Sequence, residues 1–371
     1  MKYHTILNTR ESNKNQISRR LKLAAVFMIM LLVSIAVAPD SLFAGNKSSG
    51  VIKISKRDLG GYKGPDARYI VKGLAEPEVK PGFKFKVGYL QPFAGVNVLL
   101  TIQKECEKKI KALGGEFIAY DAGLDIQKQV SQMDQLISQK VDLIIAYPVT
   151  EAGLTQGIAT AKAAGIRVIM SNVPSNSEIP MDKNADATVG MAFDLYDYMT
   201  IKYIAKKYPG TKTAFLGFAP PAENLIHIMG RSKYWAKKMR LNILGGVDAL
   251  DASPNAASVA TQGIMGKYPD VKVIIGYNDY ATMAAVTALK AAGKKGVLVA
   301  TPNGGQHITA AAIKDGSAVC AYRDPWEKLG ETLAIQAYNI LTGQNLPIQR
   351  RVLLIGELAT KGNVDSLEFV H

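Results

Sequence analysis

Residues 141–172, VDLIIAYPVTEAGLTQGIATAKAAGIRVIMSN, restrict the possible folds more than any other stretch of the chain. The run from Val141 to Tyr147 is almost wholly apolar, as a parallel strand covered on both faces must be. Pro148 stops it, and Thr150 is placed to cap a following helix. Leu154, Ile158 and Ala161 recur at helical spacing and give that helix one apolar face. Gly165 stands where a left-handed residue closes a helix at least cost, and residues 167–170 read as the next strand. A strand–helix–strand unit of this kind implies a parallel sheet with right-handed crossovers. Ligands of open α/β sheets collect at the carboxyl ends of strands, which directs attention to residues 147–150 and to Ser171-Asn172.

The same alternation runs through most of the chain. Strands are expected at 84–90 and 116–120, with helices at 97–112 and around Ile126, Val130, Met133 and Ile137. Residues 174–186 read as a loop and crossover, after which a helix at 189–207 opens a second series. Strands follow at 213–218, 243–247, 271–277, 297–301, 318–323 and 350–355, with helices at 223–240, 255–266, 281–292, 307–314 and 327–341 and a polar tail. The expected fold is therefore α/β, with two doubly wound parallel-sheet lobes. At 371 residues the chain is long enough for two lobes of ordinary size.

The first 82 residues do not share this pattern. Residues 1–22 are polar and basic, residues 23–38 are uncharged and apolar, and Ala44 precedes Gly45. That succession is the design of a secretory signal peptide, expected over 1–44, and implies a periplasmic destination. Residues 45–82 are rich in Gly, Lys and Pro and read as an extended N-terminal arm. The formal net charge is +14, but roughly half of it lies before residue 83 and the rest is spread along helices. A nucleic-acid binder concentrates charge on one face, so no nucleic-acid partner is expected.

Catalytic signatures are missing from the sequence. Gly266-Lys267 and Gly293-Lys294 do not complete a phosphate-cradling loop, and no Gly-x-Gly-x-x-Gly follows a strand. His227 and His307 have no neighbouring ligand at metal spacing. Cys106 lies on the apolar face of a helix, and Cys320 in a strand-like run. No cofactor, no metal and no enzymatic activity are expected. What does gather at strand ends is polar and aromatic: Gln91 and Phe93, Ser171-Asn172, Tyr277-Asn278-Asp279-Tyr280, Pro302-Asn303 and Arg323-Asp324-Pro325-Trp326. Amides, guanidiniums and flat rings suit a small polyhydroxylated or anionic solute, gripping adjacent hydroxyls and stacking on C–H faces.

Three blocks carry a family likeness: residues 129–172, 268–293 (YPDVKVIIGYNDYATMAAVTALKAAG) and 313–330 (IKDGSAVCAYRDPWEKLG). In that order they resemble the periplasmic sugar-binding proteins of ABC importers, of the ribose-binding type. The resemblance covers about residues 83–352 and implies two lobes joined by a three-crossover hinge, placed near 185–188, 323–326 and 347–352. It puts 83–186 with 325–350 in an N-terminal lobe and 187–324 with 351–371 in a C-terminal lobe. It implies a monomer that captures a sugar between its lobes and delivers it to a membrane permease. The same lobes could instead feed a chemoreceptor or a two-component kinase. A repressor of the lactose type would need a helix-turn-helix where this chain has an export signal.

The resemblance also nominates ligand contacts. Phe93 and Asn97 match the loop after the first strand, with Gln91 at its start. Asn172 falls where the family often has an Asp-Arg pair, and Arg231 matches a second-lobe arginine. Asn278 matches the first residue of an Asn-Asp pair, Asn303 stands at a usual Asp, and Arg323 at a usual Gln. Losing carboxylates while gaining a guanidinium would make the cleft more positive, so a sugar acid is expected beside a neutral sugar.

Overall fold

The structure is a computed structural model that describes residues 50–172, 185–219, 222–346 and 350–369. The expected signal peptide, most of the loop at 174–186 and the first part of the third hinge segment lie outside the described residues. Two sheets organise everything else. The first contains β1 (Val51–Lys53), β2 (Ile70–Leu74), β3 (Lys86–Gln91), β4 (Glu116–Asp121), β5 (Leu143–Ala146), β6 (Arg167–Ser171), β7 (Ala187–Met191) and β13 (Arg351–Leu354). Their order across the sheet is β1-β2-β13-β7-β6-β5-β3-β4, parallel throughout except for the β1–β2 pair. The second contains β8 (Lys212–Phe218), β9 (Asn242–Ala249), β10 (Val273–Gly276), β11 (Leu298–Gly304), β12 (Ala318–Arg323) and β14 (Glu357–Thr360). Its order is β14-β12-β11-β10-β8-β9, with only β14 antiparallel.

Helices cover both faces of each sheet. In the first lobe these are α1 (Asn97–Ala112), α2 (Ile126–Ser138), α3 (Glu151–Ala163) and α9 (Trp326–Thr342). In the second they are α4 (Phe193–Lys207), α5 (Glu223–Lys238), α6 (Pro254–Lys267), α7 (Asp279–Ala291) and α8 (His307–Asp315). The apolar run of β5 is wholly buried from Leu143 to Ala146, as two-sided cover requires. Each Leu, Ile or Val so buried contributes about 1.5–3 kcal/mol. Thr150 caps α3 by accepting the Gly153 N–H at 3.3 Å, and Gly165 follows it with φ +79°. Both cysteines are buried free thiols.

Four boundaries differ from the sequence reading. Residues 187–191 form strand β7, where a helix was expected from residue 189, and they pair with β6 and β13 in the first sheet. That sheet also holds residues 351–354, so the lobe boundaries drawn at 186/187 and 350/351 move beyond these strands. The tail contributes β14 to the second sheet. The described part of the arm, from residue 50, is structured as well: β2 pairs with β13, and the segment between β1 and β2 reaches the second lobe. There Gly60 accepts hydrogen bonds from the Tyr198 hydroxyl and, at 2.6 Å, from Lys202 Nζ.

The chain passes between lobes at Ala192, at Asp324-Pro325 and at Ile355-Gly356. The second agrees with its expected place, whereas the first and third lie a few residues further along. Hydrogen bonds tie the crossovers together: the Ala192 N–H donates to the Leu354 carbonyl at 3.1 Å, and the Tyr322 hydroxyl to the Gly356 carbonyl at 3.0 Å. The rings of Tyr196 and Tyr322 stack here with centroids 4.1 Å apart.

Candidate functional site

In the first sheet the chain goes from β3 outward to β4, then returns to β5 on the other side. In the second it goes from β8 to β9, then returns to β10. Each reversal opens a crevice at the strands' carboxyl ends. The two crevices face each other across a cavity of about 110 Å³. Pro92, Phe93, Tyr147 and Pro148 line it from the first lobe, and Phe218 and Asn278 from the second. Trp326, at the start of α9, also lines it and donates from Nε1 to the Gly304 carbonyl at 3.1 Å.

The lobes touch over this cavity. Asn224 Nδ2 donates to the Tyr147 hydroxyl at 2.7 Å, and the Glu151 backbone N–H donates to Glu223 Oε2 at 2.9 Å. The second contact sets a carboxylate of one lobe at the N-terminus of α3 in the other, where the helix dipole favours negative charge. Burial pushes the Tyr147 phenol upward, and the Asn172 amide beside it opposes that shift. Tyr147 therefore serves as a neutral hydrogen-bonding group.

The polar groups of the second lobe come from element ends. Asn278 accepts the Ala281 N–H at 3.0 Å as the cap of α7, which leaves its NH2 end for other partners. Asn303 is buried in β11 and donates to the Tyr277 carbonyl at 3.3 Å. Asp279 is 2% exposed and accepts the Gln306 N–H at 3.3 Å. Burial pushes its carboxyl up to about 7, against hydrogen bonds from Thr309, Gln306 and Gly305 that pull it down. Asp324 at the hinge is fully buried, and neither of its carboxyl oxygens has a hydrogen-bond partner among the described residues. Burial first, and the neighbouring Asp279 second, hold it well above the usual carboxylate range.

Of the eight residues nominated from sequence, the structure brings Phe93, Asn278 and Asn303 to the cavity. The other five are not among the residues that line it. Gln91 is buried and donates to Gln103 at 2.6 Å. Asn97 is the exposed first residue of α1. Asn172, with φ +53°, accepts the Met191 N–H at 2.9 Å and so joins β6 to β7. Arg231 lies halfway along α5 in a salt bridge of 2.6 Å to Asp194, which also accepts from Tyr62 and Trp235. Arg323 donates to the Glu368 carbonyl at 2.6 Å and to Glu327 at 3.3 Å. Both guanidiniums are thus neutralised by acids or carbonyls of their own surroundings. No Lys or Arg lines the cavity among the described residues.

The sequence reading missed Asn224 and Gln306, which nothing local distinguishes from ordinary polar residues. Tyr280 and Trp326 stood in the strand-end clusters and Tyr147 in the stretch 147–150, but none was nominated as a ligand contact. Among the described residues no group of three or more His, Cys, Asp or Glu is placed to hold a metal ion, and no helix is long and apolar enough to cross a membrane.

The profile of the periplasmic binding protein domain matches residues 87–345 of this chain. The chain belongs to that family. It is similar to the ribose import binding protein of Bacillus subtilis, at 24% identity over 71% of this chain and 84% of that one. It also resembles the D-xylose-binding periplasmic protein of Haemophilus influenzae, at 24% identity over 65% of this chain and 72% of the other. Among solved structures, the fold is shared with a periplasmic solute-binding protein of an ABC transporter from Actinobacillus succinogenes with bound D-allose. That similarity has a TM-score of 0.68 at 19% identity, covering 76% of this chain and 99% of the other. A solute-binding protein from Bacillus halodurans with bound myo-inositol gives a TM-score of 0.67 at 21% identity over 76% and 96% of the two chains. For a periplasmic binding protein, facing crevices over one cavity have a direct meaning: the ligand becomes part of the contact between lobes.

Proposed function

We propose that this protein is an extracytoplasmic solute-binding protein. It captures a sugar or related polar small molecule between its lobes and delivers it to the membrane permease of an ABC importer. The observation that carries this reading is the cavity at two facing strand-end crevices, bridged by the Tyr147–Asn224 hydrogen bond. A ligand held there contacts both lobes and favours their closed arrangement by the difference in its affinity for closed and open forms. Phe93, Trp326 and Tyr280 supply flat surfaces for C–H faces of the ligand. Asn224, Asn278, Asn303 and Gln306 supply amide donors and acceptors for hydroxyls. The protein works by binding and closure, not by catalysis.

The absence of cationic side chains from the described lining favours a neutral ligand over a sugar acid. The basic–apolar segment before Gly45 exports the chain to the periplasm and is removed there. Native mass spectrometry of protein purified from the periplasm, followed by calorimetry with the retained compound, tests the assignment. A retained neutral carbohydrate or polyol and a mature N-terminus at Gly45 are expected. If no carbohydrate or polyol is retained or bound, and solute uptake persists without the protein, the proposal fails.

A further inference from the structure

The two walls of the cavity differ in chemistry. The first lobe presents Phe93, Val96, Leu99, Leu124, Pro148 and Val149. Among its described residues the hydrogen-bonding side chains in the lining are Tyr147, whose hydroxyl accepts from Asn224, and Trp326, whose Nε1 donates to the Gly304 carbonyl. Asn172 and Gln91 lie behind this wall and not in the lining: Asn172 Oδ1 accepts the Met191 N–H and Gln91 Nε2 donates to Gln103, while Asn172 Nδ2 and Gln91 Oε1 are buried without a partner among the described residues. The second lobe carries most of the polar lining, with Asn224, Asn278, Asp279, Tyr280, Asn303 and Gln306 beside Phe218 and Leu225 around the same space.

A fully hydroxylated sugar or polyol has hydrogen-bonding groups around its whole rim. Bound between these walls, it would press hydroxyls against hydrocarbon, where they lose water and gain no partner. A ligand with hydrogen or methyl along that edge loses nothing there and adds apolar contact. We infer that the cavity selects a neutral deoxy sugar or similarly alkylated polyol. Its hydroxyls face the amides of the second lobe, and its deoxygenated edge faces Val96, Leu99 and Val149 of the first. This rests on the reading of the protein as a sugar-binding one and narrows its substrate class. Asp279 is compatible with a neutral ligand, because a buried carboxyl near half-protonation can donate as well as accept a hydrogen bond.

The test is calorimetry on the full mature chain with matched pairs: D-galactose with D-fucose, L-mannose with L-rhamnose, and D-glucose with its 6-deoxy form. In at least one pair the deoxy member is expected to bind tighter by about tenfold to a hundredfold, the range that a methyl-sized change in a hydrophobic pocket provides. Leu99→Gln, which gives this wall a hydrogen-bonding amide, should bring the ratio toward one. Val149→Thr, which keeps the β-branched shape and adds one hydroxyl, should move it in the same direction. Tighter binding of the hydroxylated members overturns this inference and leaves sugar capture standing. A deoxy preference that neither substitution alters also overturns it. Failure of every compound to bind overturns both this inference and the sugar-binding reading.

Discussion

The amide of Asn224 reaches from the first turn of α5 in one lobe to the phenol of Tyr147 at the end of β5 in the other, 2.7 Å away. A hydrogen bond of this kind contributes about 0.5–1.5 kcal/mol net. It exists only while the lobes are closed, so it adds to the population of the binding-competent form. Tyr147→Phe is expected to weaken ligand binding by roughly two- to tenfold, since apparent affinity scales with that population. Spin labels placed on the two lobes should also report a broader separation without ligand. Equal affinity and an unchanged distance distribution would show that this contact does not govern closure.

Arg231 has a structural role that its sequence position does not announce. Its guanidinium is 17% exposed and pairs with Asp194, which is 2% exposed. The Asp194 carboxylate also accepts from Tyr62 at 2.6 Å and Trp235 at 2.8 Å, joining the arm to α4 and α5. Removing one member of a buried pair leaves the other charge uncompensated, at a cost of about 3–5 kcal/mol. Arg231→Gln should therefore lower the midpoint of thermal unfolding by several degrees while the folded fraction binds ligand as before. A variant of normal stability with a large loss of affinity would instead restore Arg231 to the ligand site.

These two residues show where sequence reading succeeds and where it stops. Helix 97–112 is legible because its apolar face repeats at 3.6 residues, and the structure gives Asn97–Ala112. Strand β7 is not legible, because residues 189–193 are apolar without interruption and carry no period that separates strand from helix. Only Ala192 divides the two elements. β14 is a four-residue edge strand whose pairing with β12 depends on tertiary contact. The site follows the same logic. Strand ends are local features, so Phe93, Asn278 and Asn303 could be found. The pairing of Arg231 with Asp194 is not legible, because the two lie 37 residues apart and no local pattern records it.

Helices α1 and α9 pack closely at Gly330. A Cβ built there would lie 2.5 Å from the Ile102 carbonyl oxygen and 2.9 Å from the Cys106 backbone nitrogen. These are backbone atoms, so a rotamer change cannot relieve the overlap. Gly330→Ala should destabilise the protein by about 1–3 kcal/mol through overpacking, despite the better helix propensity of Ala. Denaturant titration checks this; an unchanged or raised midpoint would mean that α9 can shift freely against α1.

Asp279 makes stability depend on pH in the direction opposite to that of a salt-bridged acid. Its carboxyl is pushed by burial up to about 7 from an ordinary value of 3.8. Between those values the folded protein holds a proton that the unfolded chain has released, so stability falls as pH rises through this window. The contribution is fully lost above about pH 7 and is on the order of 4 kcal/mol at most, from about 1.4 kcal/mol per pH unit. Asp279→Asn keeps an oxygen for the Gln306 N–H but cannot ionise. It should unfold at higher denaturant concentration than the wild type at pH 8, with the difference shrinking toward pH 4. A difference that is independent of pH, or that grows in acid, would mean that Asp279 is ionised in the folded protein throughout this range.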